Sequence, residues 1–134
     1  MKKIASLLLL ILFFMNLTGC RLIRIEEEER KPLSYSVTEP GQLPEEAQNL
    51  VEERKAEEFQ MTYQSGEELY LIKGYGRQLS GGYSIQVKEV SLSRNAVFFH
   101  TELKGPPPEK QSGEPSYPYI AVKIKYREEP VQFQ

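Results

Sequence analysis

Apolar and polar side chains alternate along much of the C-terminal half of the chain, which is the pattern of half-buried β-strands. Alternation or a compact apolar run occupies five stretches, at Phe59–Tyr63, Leu69–Ile72, Tyr83–Leu92, Val97–Leu103 and Tyr119–Tyr126. A shorter alternating stretch, Leu33–Thr38, precedes them. Within the third stretch the apolar phase slips at Lys88–Glu89, which predicts a β-bulge. Ser93–Asn95 predicts the turn into the next strand.

A helical period separates the first alternating stretch from the others. Pro44 is followed by Glu45 and Glu46, the residue types that favour the first turn of a helix, and the periodicity continues to about Glu58. One helix before a run of strands predicts an α+β domain, a small antiparallel sheet of four to five strands with one packed amphipathic helix. An all-β domain with a helical lid is the alternative. We expect Leu50 and Val51 to pack on a sheet face built from Leu71, Ile85, Val87, Phe99, Ile120, Val122 and Ile124.

The first 20 residues have the organisation of a secretory signal. Lys2 and Lys3 precede the apolar run Ile4–Met15, which is short for a membrane span. Leu17-Thr18-Gly19-Cys20 then resembles the lipobox of bacterial lipoproteins, in which the cysteine receives a diacylglycerol before cleavage. The alternative is an uncleaved N-terminal anchor helix with an incidental cysteine. Both interpretations place the protein at the cell membrane, facing outside the cytoplasm.

These features divide the chain into three parts. Residues 1–19 are the predicted lipoprotein signal peptide, residues 20–32 are the lipidated Cys20 and a charged tether, and residues 33–134 are one domain. Removing Lys2 and Lys3 from the 17 basic residues leaves 15 against 19 acidic ones, a formal charge of −4. An acidic chain without a basic run does not predict nucleic-acid binding.

Candidate chemistry is scarce, and the sequence predicts no enzyme. His100 is the single histidine, it lies within a strand pattern, and no serine or cysteine nucleophile occurs in a recognisable motif. Cys20 is the single cysteine, and aspartate is absent. We therefore expect no catalytic residue, no metal site and no cofactor.

Two segments rich in glycine or proline stand out as candidate binding loops. The first, Lys73–Tyr83, has four glycines within nine residues and predicts a hairpin loop, with Gly81-Gly82 suited to its turn. In the functional interpretation, glycines let a partner approach the backbone, and the candidate partner-binding residues are Tyr75, Arg77, Ser80, Gly81, Gly82 and Tyr83. In the structural interpretation, the glycines only permit the turn. The second segment, Gly105–Pro118, contains three consecutive prolines and is the alternative partner site.

The same segments carry a family resemblance. Gly74–Ile85 followed by Ser116–Ile124 resembles the PrcB C-terminal domain family, whose members show a T-G-G-Y-S-I hairpin and later a P-Y-x-x-V-K strand. Ser80 stands where threonine is usual, and both residues offer a hydroxyl group. The resemblance covers about Glu67 to Tyr126. It implies a non-catalytic domain of a surface protease complex, an accessory subunit that helps the protease to assemble or to remain stable.

The sequence therefore predicts a lipid-anchored, extracytoplasmic protein-binding domain whose partner is an exported protease or another envelope protein. Two alternatives stay open. Ser80-Gly81-Gly82-Tyr83 is also similar to the inhibitory loop of chagasin-type cysteine-protease inhibitors, although their Asn-Pro is absent. The third possibility is a purely structural envelope lipoprotein, because a fold does not by itself imply a binding role.

Overall fold

Eight strands and one α-helix make up residues 29–134, the part of the chain that this computed structural model describes. The helix, α1, spans Glu45–Arg54. The strands are β1 (Lys31–Pro32), β2 (Ser36–Thr38), β3 (Glu58–Ser65), β4 (Glu68–Tyr75), β5 (Ser84–Leu92), β6 (Val97–Lys104), β7 (Tyr119–Lys125) and β8 (Val131–Phe133). The predicted signal peptide and Cys20 lie outside these residues. No helix within them is long and apolar enough to cross a membrane.

The strands form two four-stranded sheets, and the α+β class predicted from the sequence is confirmed. The central sheet has the order β2-β7-β4-β3, and the outer sheet has the order β1-β5-β6-β8. Neighbouring strands are antiparallel, except that β6 and β8 are parallel. We expected a single sheet of four to five strands. The second sheet was not predicted because an alternating pattern does not show which strands pair, and because β1 and β8 are only two and three residues long.

The domain has three layers: α1, the central sheet and the outer sheet. The strand β4 shows why the central sheet lies in the middle. Side chains of successive residues in a strand point to opposite faces of the sheet. Tyr70 and Ile72 pack under α1, whereas Leu69 and Leu71 pack against the outer sheet. All four are buried, so the compact apolar run Leu69–Ile72 is the signature of a strand covered on both faces.

The predicted face for the helix was wrong. Val51 packs with Leu43, Ala47, Met61, Tyr70, Ile72 and Ala121, and Leu50 contacts this cluster. Leu71 and Val122, on which we expected the helix to pack, are on the opposite face with Val90, Val97 and Phe99. Because both faces of β4 are apolar, the sequence pattern could not indicate which face the helix covers.

The helix α1 is shorter than predicted, because Glu58 is already the first residue of β3. The bulge at Lys88 is confirmed by a register shift between Val87 and Glu89 in the β5–β6 pair. The predicted turn is also present, since the Ser93 N–H donates to the Ala96 carbonyl at 2.9 Å.

Residues 30–32, at the end of the predicted tether, are part of the folded domain. Lys31–Pro32 pairs with β5, and the Arg30 guanidinium lies 3.6 Å from the centroid of the Phe98 ring. Arg30 Nη1 also lies 3.1 Å from Glu89 Oε2. Hydrogen bonds from the Ser91 hydroxyl and from Arg30 hold the pKa of the Glu89 carboxyl below its usual value. The first strand is thus fastened by side chains as well as by its backbone.

Candidate protein-binding surface

The glycine-rich segment connects the two sheets. It leaves β4 in the central sheet and enters β5 in the outer sheet, and β4 and β5 are not paired with each other. The prediction of a hairpin at Gly81-Gly82 is therefore wrong. The flanking patterns did predict two strands, but an alternating pattern does not identify the partner with which a strand pairs.

The two segments singled out from the sequence lie side by side. The Tyr75 N–H donates to the Pro118 carbonyl at 3.0 Å, which continues the pairing of β4 with β7. Further along, Gln78 and Ser116 exchange two backbone hydrogen bonds of 2.8 and 3.0 Å. We call residues 76–83 and 105–118 together the paired-loop surface.

A bulge at Gly76 shifts this pairing by one residue. Between the Tyr75–Pro118 and Gln78–Ser116 contacts, two residues, Gly76 and Arg77, stand opposite the single Tyr117. Gly76 has a φ of +74°, the left-handed conformation that glycine adopts in this kind of bulge. The extra residue changes the direction of the side chains that follow it.

Three serines fasten the two loops together. Ser80 is 5% exposed, and its hydroxyl donates to the Gly81 carbonyl and accepts from the Ser112 N–H. The Gly81 N–H in turn donates to Ser112 Oγ at 2.9 Å. The Ser116 hydroxyl donates to the Ser80 carbonyl at 2.6 Å. These bonds join residues far apart in sequence and hold the loops in one arrangement.

Two of the six predicted binding residues, Tyr75 and Ser80, have side chains that are hydrogen-bonded within the domain. The half-buried Tyr75 hydroxyl is hydrogen-bonded to Thr101 Oγ1 of β6 and so links the central sheet to the outer sheet. The buried Ser80 supports the loops as described above. The hydroxyl groups of both residues are therefore hydrogen-bonded to other groups of the domain.

The other four predicted residues lie at or near the surface. Arg77 and Gly82 are exposed, whereas Gly81 and Tyr83 are half-exposed. Gly82 has a φ of +85°, and a Cβ placed there would lie 3.1 Å from Pro106 Cβ. The edge of the Tyr83 ring lies beside Gly105, with 3.1 Å between Tyr83 Cε1 and a Cβ built on that glycine. Glycine at both positions allows the loops to approach closely.

Sequence reasoning did not identify Leu79, the most exposed large apolar side chain of residues 29–134, at 78% exposure. Its signal was present, since Leu79 is the one large aliphatic residue between Gly74 and Tyr83. Tyr117, which faces the bulge across the pairing, is 36% exposed. The surface therefore offers an aliphatic side chain, an aromatic ring and the Arg77 guanidinium.

Besides Arg77, the surface has a second cation, Lys55, which lies beside the Tyr117 ring. Lys55, directly after α1, places Nζ 5.2 Å from the centroid of the Tyr117 ring and 2.8 Å from Glu52 Oε2. The hydrogen bond to Glu52 raises the pKa of the Lys55 ammonium group. The Arg77 N–H donates to the Ala56 carbonyl at 3.3 Å, which holds the helix end against the loops.

The structure also places the single histidine of the chain. His100 is half-buried in β6, between the buried Phe99 and Thr101. Among residues 29–134, no three His, Cys, Asp or Glu side chains come together as metal ligands would.

The fold and this surface define a small α+β domain of one helix and two packed sheets. Residues 69–125, less than half of the chain, match the family model described as PrcB C-terminal. The match runs from β4 to the end of β7 and includes both loops of the paired-loop surface. The resemblance recognised in the sequence is thereby confirmed. No curated protein and no solved structure matches the chain.

Proposed function

We propose that this protein is a non-catalytic, lipid-anchored accessory subunit that binds an exported protease outside the cytoplasm. The family supports a role in a protease complex, and the lipobox at Cys20 supports the anchor. The observation that carries the proposal is the paired-loop surface, on which Leu79 is exposed while the loops beneath it are fastened by hydrogen bonds.

The composition and rigidity of the surface both favour protein binding. Tyrosine and arginine are enriched among the residues that dominate binding energy, and an exposed aliphatic side chain gains most when a partner covers it. Loops that are already ordered lose little conformational entropy on binding. Arg77, Leu79 and Tyr117 are therefore the proposed contact residues, with Gly81, Gly82 and Tyr83 around them and Tyr75 and Ser80 as supports.

The geometry does not favour the inhibitor alternative. An inhibitory loop of the kind considered above must project into a protease cleft. In this protein Ser80 is buried, and Gly81 is hydrogen-bonded to Ser112 of the neighbouring loop. Of the four residues Ser80–Tyr83, only Gly82 is exposed, whereas Gly81 and Tyr83 are half-exposed.

Replacing Arg77 by Ala and Leu79 by Ser together is expected to reduce partner capture at least tenfold, because both contact side chains are removed. The matched control is Arg94→Ala with Tyr126→Ser, an exposed arginine and a 41% exposed tyrosine away from the loops. Each full-length variant is purified from detergent-solubilised membranes, and co-purifying proteins are identified by mass spectrometry and assayed for proteolysis. Unfolding of the domain should shift by no more than about 0.5 kcal/mol, as for other surface sites.

Three outcomes would contradict the proposal. Equal capture by both double variants would place the partner site elsewhere. The absence of any co-purifying protease would favour a structural envelope lipoprotein. A captured protease whose activity rises when this subunit is removed would identify an inhibitor.

Cys20→Ala is expected to leave an unprocessed precursor or a protein released from the membrane, because two acyl chains are required for stable anchoring. Thr18→Ala is the control, since it keeps a small residue ahead of Gly19 and should be processed normally. Membrane fractionation followed by mass spectrometry measures both variants. An unmodified Cys20 within an intact leader in the wild-type, membrane-bound protein would refute the anchor.

A further inference from the structure

One sheet edge in the described part of the chain differs from the other three. The outer sheet ends in β1, which has two residues and includes Pro32, and in β8, which has three. The central sheet ends in β2, which has three residues, and in β3, which has eight. Short strands and prolines prevent an edge from pairing with another chain. The short β1 covers only the Ser91–Leu92 end of β5, but the rest of β5 carries a bulge and the charged Lys88 and Glu89, which also protect an edge. Among the described residues, β3 is therefore the long edge without such protection.

The backbone groups of β3 that face outward can be assigned from its turn. Ser65 and Glu68 flank the two-residue turn Gly66-Glu67, and Gly66 has a φ of +60°. A turn of this kind is closed by a pair that exchanges both backbone hydrogen bonds, so every second residue back from Ser65 bonds to β4. The N–H and C=O groups of Glu58, Gln60, Thr62 and Gln64 consequently point away from the sheet, and no strand within residues 29–134 pairs with them.

The edge of β3 lacks the usual protective features. It contains no proline and no lysine, and it pairs with β4 over all eight residues without a register shift. Its single charged residue, Glu58, is neutralised by Lys73, whose Nζ lies 2.7 Å from Glu58 Oε1. A regular and nearly uncharged edge is a template for a further strand.

We propose that β3 pairs antiparallel with β3 of a second copy of this chain, which joins the two central sheets into one sheet of eight strands. A two-fold axis perpendicular to the sheet keeps both helices on the same side. With the axis at Met61, cross-strand neighbours would be Met61 with Met61, Phe59 with Tyr63, Gln60 with Thr62, and Glu58 with Gln64.

This register is self-complementary, which is the argument for a second copy over an unrelated strand. Aromatic residues stand opposite each other, polar residues oppose polar residues, and no two like charges meet. The outward-facing groups of Gln60 and Thr62 also form the hydrogen-bonded pair that an antiparallel ladder requires.

Chemical cross-linking of the full-length protein in its membrane tests the proposal. Thr62→Cys places an exposed thiol on the edge, and in the proposed pair the two thiol-bearing residues are diagonal neighbours, about 7–8 Å apart. A short bismaleimide is expected to convert most of this variant to a species of twice the monomer mass. The control is Arg94→Cys, exposed in the β5–β6 turn, which should give at least fivefold less. Both variants retain Cys20, so any cross-linking through Cys20 contributes equally to the two yields.

A proline variant separates strand pairing from proximity. Gln60→Pro in the Thr62→Cys background removes an N–H that faces outward, so pairing with β4 is retained while pairing across the edge is interrupted. The dimer yield should fall at least fivefold at unchanged protease resistance, and Gln64→Pro serves in the same way if Gln60→Pro does not fold.

A yield from Thr62→Cys no higher than from Arg94→Cys, or a yield that proline leaves unchanged, would overturn the proposal. So would a cross-linked species containing a different protein. Since β3 and the paired-loop surface are tested by separate variants, failure of one leaves the other standing.

Discussion

Val122→Asp is expected to abolish cooperative folding. Val122 is fully buried between the two sheets, where it packs with Leu71, Val97 and Phe99. A carboxylate there would lose its hydration without gaining a charged partner, at a cost of several kcal/mol even after relaxation. Since a small domain is stable by only about 5–15 kcal/mol, this cost removes most or all of its stability. The measurement is thermal unfolding followed by circular dichroism.

The neighbouring strand provides a matched control for this substitution. Val37 of β2 is the direct cross-strand partner of Val122 and lies on the same face of the sheet, but it is 56% exposed. Val37→Asp keeps the new carboxylate in water and is expected to change stability by no more than about 0.5–1 kcal/mol. Cooperative melting of Val122→Asp at the wild-type temperature would refute the two-sheet core.

The long helix and strands of this fold could be predicted from the sequence, but the assignment of the strands to two sheets could not. Strands β3 to β7 and α1 each contain enough residues to show a periodic pattern. Even the bulge at Lys88 was visible in the sequence, as a slip in the apolar phase. The assignment of strands to two sheets depends on contacts that no local pattern encodes. The face of β4 covered by α1 was equally hidden, because Leu71 and Ile72 are both fully buried.

The candidate site shows the same division. Glycine and proline composition drew attention to both loops. Their contact depends on hydrogen bonds that Ser80 accepts from Ser112 and Ser116, which lie 32 and 36 positions away. Serine is common in loops of every kind, so these bonds left no distinctive pattern. The exposure of Leu79 also follows from tertiary structure, because a lone leucine in a loop has no periodic pattern that shows whether it is covered.

Gly76→Ala is expected to destabilise the protein by roughly 2–4 kcal/mol, the sum of backbone strain and a steric clash. The alanine would occupy a left-handed conformation, which costs about 1–2 kcal/mol for a residue with a side chain. Its Cβ would also lie 3.0 Å from the Glu58 nitrogen and 3.1 Å from the Glu57 carbonyl carbon. These are backbone atoms at the start of β3, and they cannot move without disturbing the β3–β4 ladder.

Gly113 provides the control that separates the two causes. It has the same φ of +74°, but a Cβ placed there has no neighbouring atom within 4 Å. Gly113→Ala should therefore show the strain alone, a loss of about 1–2 kcal/mol, and the difference between the two variants measures the clash. Denaturant unfolding at equal m-values gives both losses. Equal destabilisation would mean that the bulge does not press on β3. A larger loss for Gly76→Ala would show that the bulge packs tightly against the start of β3, because only there would the new Cβ meet backbone atoms.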